Sequence, residues 1–208
     1  YLKGNKGSDN NTYQLNCIVD AGASMKDLAF TSNKPAVAMV DANGKITAVG
    51  NGKATITVTP RMGNNAKAVL NVTVDTDVEY VNVASTRFTI LANNKDTAKI
   101  DAITNGNAKN KKVTYGISSI KWEENGTTKE ETAKRNANGK WQWNNKSFKA
   151  AQYISVDGKG NVKAKKECVA TIVAATSEMK TLNDGTKVPV ASATITVNAE
   201  DAVTALTL

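Results

Sequence analysis

Apolar and polar positions alternate most clearly between Pro35 and Val58, PAVAMVDANGKITAVGNGKATITV. Val37 and Met39, then Ile46 and Ala48, are separated by small or polar neighbours, and Ala54-Thr55-Ile56-Thr57-Val58 is β-branched and apolar. Period two of this kind predicts three half-buried strands. Asp41-Ala42-Asn43-Gly44 and Gly50-Asn51-Gly52 separate them, and such residues accept the positive φ of hairpin turns. The same pattern returns at 151–174, AQYISVDGKGNVKAKKECVATIVA. Without a gap, Val40-Asp41 falls on Val156-Asp157, Gly44 on Gly160, Ala48 on Ala164 and Ala54-Thr55-Ile56 on Ala170-Thr171-Ile172. One β-rich unit is therefore written twice.

The flanking segments extend each copy. Tyr13, Leu15, Cys17 and Val19 alternate on one face of an expected strand, Leu28–Thr31 is a short strand, and 66–74 closes the first copy. Val78–Val83 opens the second copy and has no counterpart in the first; Phe88–Leu91 continues it. Ala98–Thr104 repeats Tyr13–Val19 at an offset of 85 positions, which also lays Val113 and Tyr115 on Leu28 and Phe30. The offset has become 116 by Ala151, so additional residues lie between, and a smaller extension spans Ser177–Pro189. Ala191–Val197 closes the second copy as Ala68–Val74 closes the first. The expected organisation is a domain over 1–75 with its opening strand missing, a domain over 76–200 with an insertion at about 116–150, and the start of a third repeat at 201–208. The fold class is all-β: two tandem β-sandwiches, the second carrying a hairpin-rich insertion.

Composition narrows the chemistry. Aromatic residues make up 5% of the 208 residues, a turn-rich and β-rich style rather than an enzyme-like one. Histidine is absent, which removes Ser-His-Asp and Cys-His catalysis and every His-ligated metal site. Glu123-Glu124 and Glu130-Glu131 sit in polar segments with nothing to raise a carboxyl pKa, so no enzyme is expected. The net charge of +8 comes mostly from scattered lysines, which solvate the surface and discourage strand edges from pairing. No Arg-rich stripe with interleaved aromatics points to nucleic acid. Cys17 and Cys168 belong to different repeats, so two buried free thiols are expected rather than a disulfide. No stretch reaches the ~20 apolar residues of a membrane-spanning helix.

The insertion holds all three tryptophans, Trp122, Trp141 and Trp143. Ile117–Trp122 reads as a strand, Lys129–Arg135 as a helical turn or two, and Lys140–Trp143 as a further strand. Trp141 and Trp143, two apart, would share a face roughly 7 Å apart. Exposed and coplanar they would stack on sugar rings, with Gln142, Asn144 and Asn145 hydrogen-bonding; packed inward they would clamp the insertion to the sandwich. The linker acids Asp75, Asp77 and Glu79 are the one candidate cation site, for Ca²⁺, against the simpler reading of solvated carboxylates. No other cofactor is expected.

Phe30-Thr31-Ser32-Asn33, Val37-Ala38-Met39-Val40-Asp41, Gly44-Lys45-Ile46-Thr47-Ala48 and Gly52-Lys53-Ala54-Thr55-Ile56 together resemble the hallmark run of the bacterial Ig-like domain, group 2 family. The second copy keeps Val156-Asp157, Gly160, Val162, Ala164 and Ala170-Thr171-Ile172, with Cys168 at the late glycine. The resemblance implies Ig-like sandwiches strung along bacterial cell-surface proteins, among them adhesins of the intimin and invasin kind, acting as stalks, spacers or adhesive tips without catalytic residues. It places the chain outside the cell, on the bacterial surface or cell wall. Its expected partners are neighbouring repeats, with a cell-wall, host or dietary polysaccharide or a host surface protein as candidate ligands. A carbohydrate-binding module and a surface-layer lattice component are the alternatives.

Overall fold

The computed structural model describes residues 1–5, 8, 10–19, 22–62, 65–136 and 138–202. The expected third-repeat strand at 202–208 therefore lies, beyond Ala202, outside the described residues. The chain divides into two compact units, Tyr1–Asp77 with Gly106–Lys109, and Val78–Asn105 with Asn110–Leu208. The fold is all-β, and each unit is an Ig-like sandwich; among the described residues the helical turns are the 3-10 turns Met25–Asp27 and Ala150–Gln152.

Unit 1 contains β1 (Leu2–Lys3), β2 (Thr12–Gln14), β3 (Leu28–Ser32), β4 (Ala38–Val40), β5 (Lys45–Ala48), β6 (Gly52–Pro60) and β7 (Ala68–Asp75). One sheet runs β1-β7-β6-β3 and the other β2-β5-β4. Leu2, Ala54, Ile56, Val72 and Val74 of the first sheet meet Ala38, Ile46 and Ala48 of the second in a single core. Packing two inner faces this way is what alternating strands require.

Unit 2 contains β8 (Val81–Val83), β9 (Arg87–Leu91), β10 (Ala98–Lys99), β11 (Ala102–Thr104), β12 (Val113–Glu124), β13 (Thr127–Arg135), β14 (Trp141–Trp143), β15 (Ile154–Val156), β16 (Asn161–Ala164), β17 (Cys168–Thr176), β18 (Met179–Thr181), β19 (Lys187–Pro189) and β20 (Ser192–Glu200). A six-stranded sheet runs β14-β13-β12-β17-β20-β9, a three-stranded one β10-β16-β15, and β11-β8 and β18-β19 form small pairs. The core joins Ile120, Ile172, Ile195 and Val197 from the large sheet to Ile154, Val162 and Ala164 from the small one.

The ladders repeat between units. Ala38 faces Ala48 as Ile154 faces Ala164, Tyr13 faces Ile46 as Ala98 faces Val162, and Phe30 faces Val58 as Tyr115 faces Ala174. The turns repeat too. Asp41 Oδ1 accepts from the amides of Asn43 and Lys45 at 2.9 and 2.8 Å, and Asp157 Oδ1 from those of Lys159 and Asn161 at 2.8 and 2.9 Å. Gly44 and Gly160 follow at φ +77° and +84°.

Four expectations need correction. Ala54 faces Val72 and Ala170 faces Val197, so β7 maps onto β20 at an offset of 125, two more than the sequence alignment gives. A two-residue slip keeps every side chain on its face, and alternation alone cannot detect it. In β4, Ala38 is buried and Met39 is 49% exposed, the reverse of the expected facing. Antiparallel partners share a face, so inward Ala48 and Ile46 oblige Ala38 and Val40 to point inward. Lys129–Arg135 is strand rather than helix, because Lys129–Thr132 pairs along β12 and Ala133–Arg135 along β14. The expected strand over Tyr13–Val19 ends at Gln14. Its counterpart in unit 2 continues as β11 by pairing with β8, and no strand among the described residues of unit 1 answers to β8. The first strand of unit 1, β1, instead answers to Ile90–Leu91, since Leu2 faces Val74 as Ile90 faces Ala199.

Candidate functional site

Unit 2 departs from the repeat where β12 outgrows β3. Its apolar positions are Val113, Tyr115, Ile117, then Ile120 and Trp122, with a phase break at Ser118-Ser119. The β12–β17 register shifts between Ile117 and Ser119, and this bulge returns all five apolar side chains to the core. Asn125 and Gly126 then turn the chain at φ +53° and +71°, the geometry that Asn-Gly favours in a two-residue hairpin. β13 returns along β12, and Asn136 Oδ1 holds the next turn by accepting from the Asn138 and Lys140 amides at 3.0 Å each.

The tryptophans are partly packed inward. All three are half-buried while Gln142 between two of them is exposed. Trp122 stacks on Phe148 with centroids 5.5 Å apart and leans on Tyr153 at 4.9 Å; Trp143 meets Phe148 edge-on at 4.7 Å. These rings extend the core of unit 2 beneath the hairpin. Trp141 stands apart: the Arg135 guanidinium lies 4.8 Å over its ring, and a side chain at Gly116 would run into its indole. Burial lowers the pKa of Arg135, whose Nη1 donates to Gly139 O at 3.1 Å. The driving force is area: an indole hidden beside Phe148 removes more apolar surface from water than one displayed on an edge strand.

Two of the three polar candidates, Asn144 and Asn145, are spent on the hairpin itself. Asn144 Nδ2 donates to Thr132 Oγ1 at 2.7 Å and Asn145 Nδ2 to Glu131 Oε1 at 3.2 Å. Phe148 and Tyr153 are the members that sequence reasoning missed. Tyr153 was findable, because the 116 offset puts it on Val37: Val37 O accepts from Val49 N at 2.9 Å, as Tyr153 O accepts from Lys165 N at 2.7 Å. Beside the cluster a groove of about 440 Å³ is lined by Trp122, Glu123, Thr128, Glu167, Cys168 and Asn198 among others. A second, of about 270 Å³, lies between Trp141, Arg135, Thr114 and Met179.

Two of the linker acids, Asp75 and Asp77, are held by lysines. Asp77 accepts from Lys3 Nζ at 2.7 Å and Asp75 from Lys109 Nζ at 2.9 Å. The Glu79 amide donates to Asn105 Oδ1 at 2.9 Å. Among the described residues no group of three or more His, Cys, Asp or Glu side chains could hold a metal ion. Both cysteines are free, Cys168 buried and Cys17 only half-buried, and burial pushes the Cys168 thiol up to about 11. No helix among the described residues is long and apolar enough to cross a membrane.

Residues 25–61 match the family described as "Intimin, immunoglobulin-like domain". That span holds β3 to β6 and the turn at Asp41–Gly44, the part of unit 1 that recurs most faithfully. No curated protein matches the chain. Among solved structures, domains 4 and 5 of the S-layer protein SbsC align at 16% identity and a TM-score of 0.32, covering 87% of this chain and 74% of that one. A larger piece of the same protein, domains 4–9, aligns at 17% and 0.33 over 91% of this chain and 24% of that one. Human protocadherin-24 EC1-2 aligns at 10% and 0.41 over 97% and 93%. The chain thus spans about a quarter of the longer SbsC piece.

Proposed function

We infer that this chain is a non-catalytic structural and adhesion module of a bacterial cell-surface protein, working as a stalk or spacer that carries a binding surface. The observation behind this reading is that the last strand of each unit pairs in parallel with an early one, the first in unit 1 and the second, after β8, in unit 2. β1 runs parallel to β7 in unit 1, and β9 runs parallel to β20 in unit 2. Tension applied through the ends of a unit pulls such strands along each other, in unit 2 once β8 has given way, so their hydrogen bonds bear the load together rather than one after another. The match of residues 25–61 to intimin's Ig-like domain supports the bacterial, surface-exposed setting. The tryptophans then serve the sandwich, and the hairpin β12–β13 is the surface that unit 2 presents.

Antibodies raised against the chain and applied to intact and lysed cells of the source bacterium test the location. Labelling of intact cells at the level of lysed ones is the expected result; labelling only after lysis contradicts it. Retention on insoluble cell-wall polysaccharide, abolished by Trp122→Ala, would move the reading to carbohydrate binding.

A further inference from the structure

Arg135 is a half-buried cation that the fold of unit 2 leaves without a carboxylate. It pairs opposite Trp141 in the β13–β14 ladder, so the two side chains share a face. The guanidinium lies 4.8 Å over the Trp141 ring, and Nη1 donates to Gly139 O at 3.1 Å. Gly116, with no side chain of its own, lets the indole lie close against β12. Among the described residues no Asp or Glu forms a salt bridge with Arg135, and burial alone lowers its pKa. A cation withdrawn from water is ordinarily paired, because desolvation disfavours its charge unless an anion or hydrogen bonds replace the water. One hydrogen bond and a stacked ring leave most of the N–H donors of this guanidinium to water or a ligand.

Those donors border the groove of about 270 Å³, where Trp141 and Met179 are apolar neighbours and Asn138 and Ser177 polar ones. Among the described residues that line it, Arg135 is the only charged one. Its surroundings are basic: Lys140 precedes Trp141, Lys180 follows Met179, and Lys112 O accepts from the Ser177 amide at 2.9 Å. All three lysines are exposed, and Glu178 is the one acid in 112–116, 134–141 and 176–181. A planar fork fits a carboxylate, and a lining both apolar and polar fits a sugar ring. Several cations around one groove fit an anion that recurs along a polymer. We propose that this groove binds an acidic polysaccharide, with Arg135 holding the carboxylate of one uronic acid residue whose ring lies against Trp141 and Asn138. Trp141 and the Gly139 carbonyl act as positioning groups: they fix the guanidinium before the ligand arrives, which lowers the ordering cost of binding. The proposal gives a ligand class to the binding surface of unit 2 and rests on the stalk reading for a polysaccharide within reach.

The whole chain is tested by affinity electrophoresis in polygalacturonate, with neutral dextran, dextran sulfate and polyglutamate in parallel gels. Expected is retention by polygalacturonate that weakens as salt rises, and none by dextran. Arg135→Gln and Arg135→Lys should each weaken that retention about tenfold or more, since lysine keeps the charge and loses the fork. Lys163→Gln, which removes an exposed charge on β16, should change it less than about twofold. Dextran sulfate and polyglutamate, held by scattered lysines, should be retained alike by the wild type and the Arg135 variants. In the wild type, trigalacturonate should shift the Trp141 indole N–H resonance and leave those of Trp122 and Trp143 in place, a readout that needs no variant to fold. Absence of retention by polygalacturonate, equal losses in the Arg135 and Lys163 variants, or an unmoved Trp141 resonance overturns the proposal. So does a parallel loss of polyglutamate retention, which would make the site one for acidic peptides. All of these measurements use the purified chain, so their failure leaves standing the stalk reading, which the labelling of cells tests separately.

Discussion

Asp157 and Gly160 show how much one turn asks of single residues. Gly160 sits at φ +84°, and a Cβ there would lie 2.7 Å from Ile100 O and 2.9 Å from the Tyr115 ring. Gly160→Ala should therefore cost more than about 1 kcal/mol of unit 2 stability. Gly158→Ala, where a Cβ meets nothing within 4 Å, should be close to neutral by the same thermal melt. The hydrogen bonds from the Asn161 side chain and amide hold the Asp157 carboxyl below its usual range. A depressed carboxyl contributes stability above its unfolded pKa of about 3.9 and loses it as pH falls through the folded value. Urea midpoints between pH 5 and 2 should accordingly fall less steeply in Asp157→Asn than in the wild type. Cys168, with its thiol at about 11, has only about one thiolate in a thousand at pH 8. Alkylation at pH 8 should stop after Cys17 until urea unfolds unit 2. These turn residues were legible in the sequence, because Asp and Gly at fixed spacing carry the turn chemistry themselves.

At the scale of elements, the sequence gives away strands by alternation but not their partners. Met39 reads as inward and points outward because the ladder with β5, not its own hydropathy, decides the facing. Lys129–Arg135 has the composition of a helix and is a strand because β12 pairs with Lys129–Thr132 and β14 with Ala133–Arg135. The bulge at Ser118 was visible as two adjacent polar residues breaking an apolar alternation, a signal whose meaning depends on knowing that Ile117 and Ile120 share one core. The aromatic cluster was legible only in part: the tryptophans were evident, but their packing on Phe148 and Tyr153 joins segments that alternation treats separately. Trp143→Ala should lower unit 2 stability by somewhat less than the ~3–5 kcal/mol of a fully buried aromatic, since the ring keeps some exposure. Gln142→Ala, exposed between the two indoles, should change it by less than about 0.5 kcal/mol. Gly116→Val should displace the Trp141 indole and cost about 1–3 kcal/mol, read in the same melts.

The whole molecule is two versions of one sandwich with unequal terminal ladders. β9 runs alongside β20 over Arg87–Leu91, whereas β1 runs alongside β7 only over Leu2–Lys3. The repeat itself was the most legible feature of the chain, and the difference between its copies was not, because a two-residue β1 leaves no periodic signal. The parallel ladders make the stalk reading measurable. Single-molecule stretching of the chain between its termini should give two separate unfolding events, releasing about 250 Å for unit 1 and about 400 Å for unit 2. The account predicts two distinct force peaks, since the last strand of each unit is sheared against a parallel partner. Extension without distinct force peaks would contradict it.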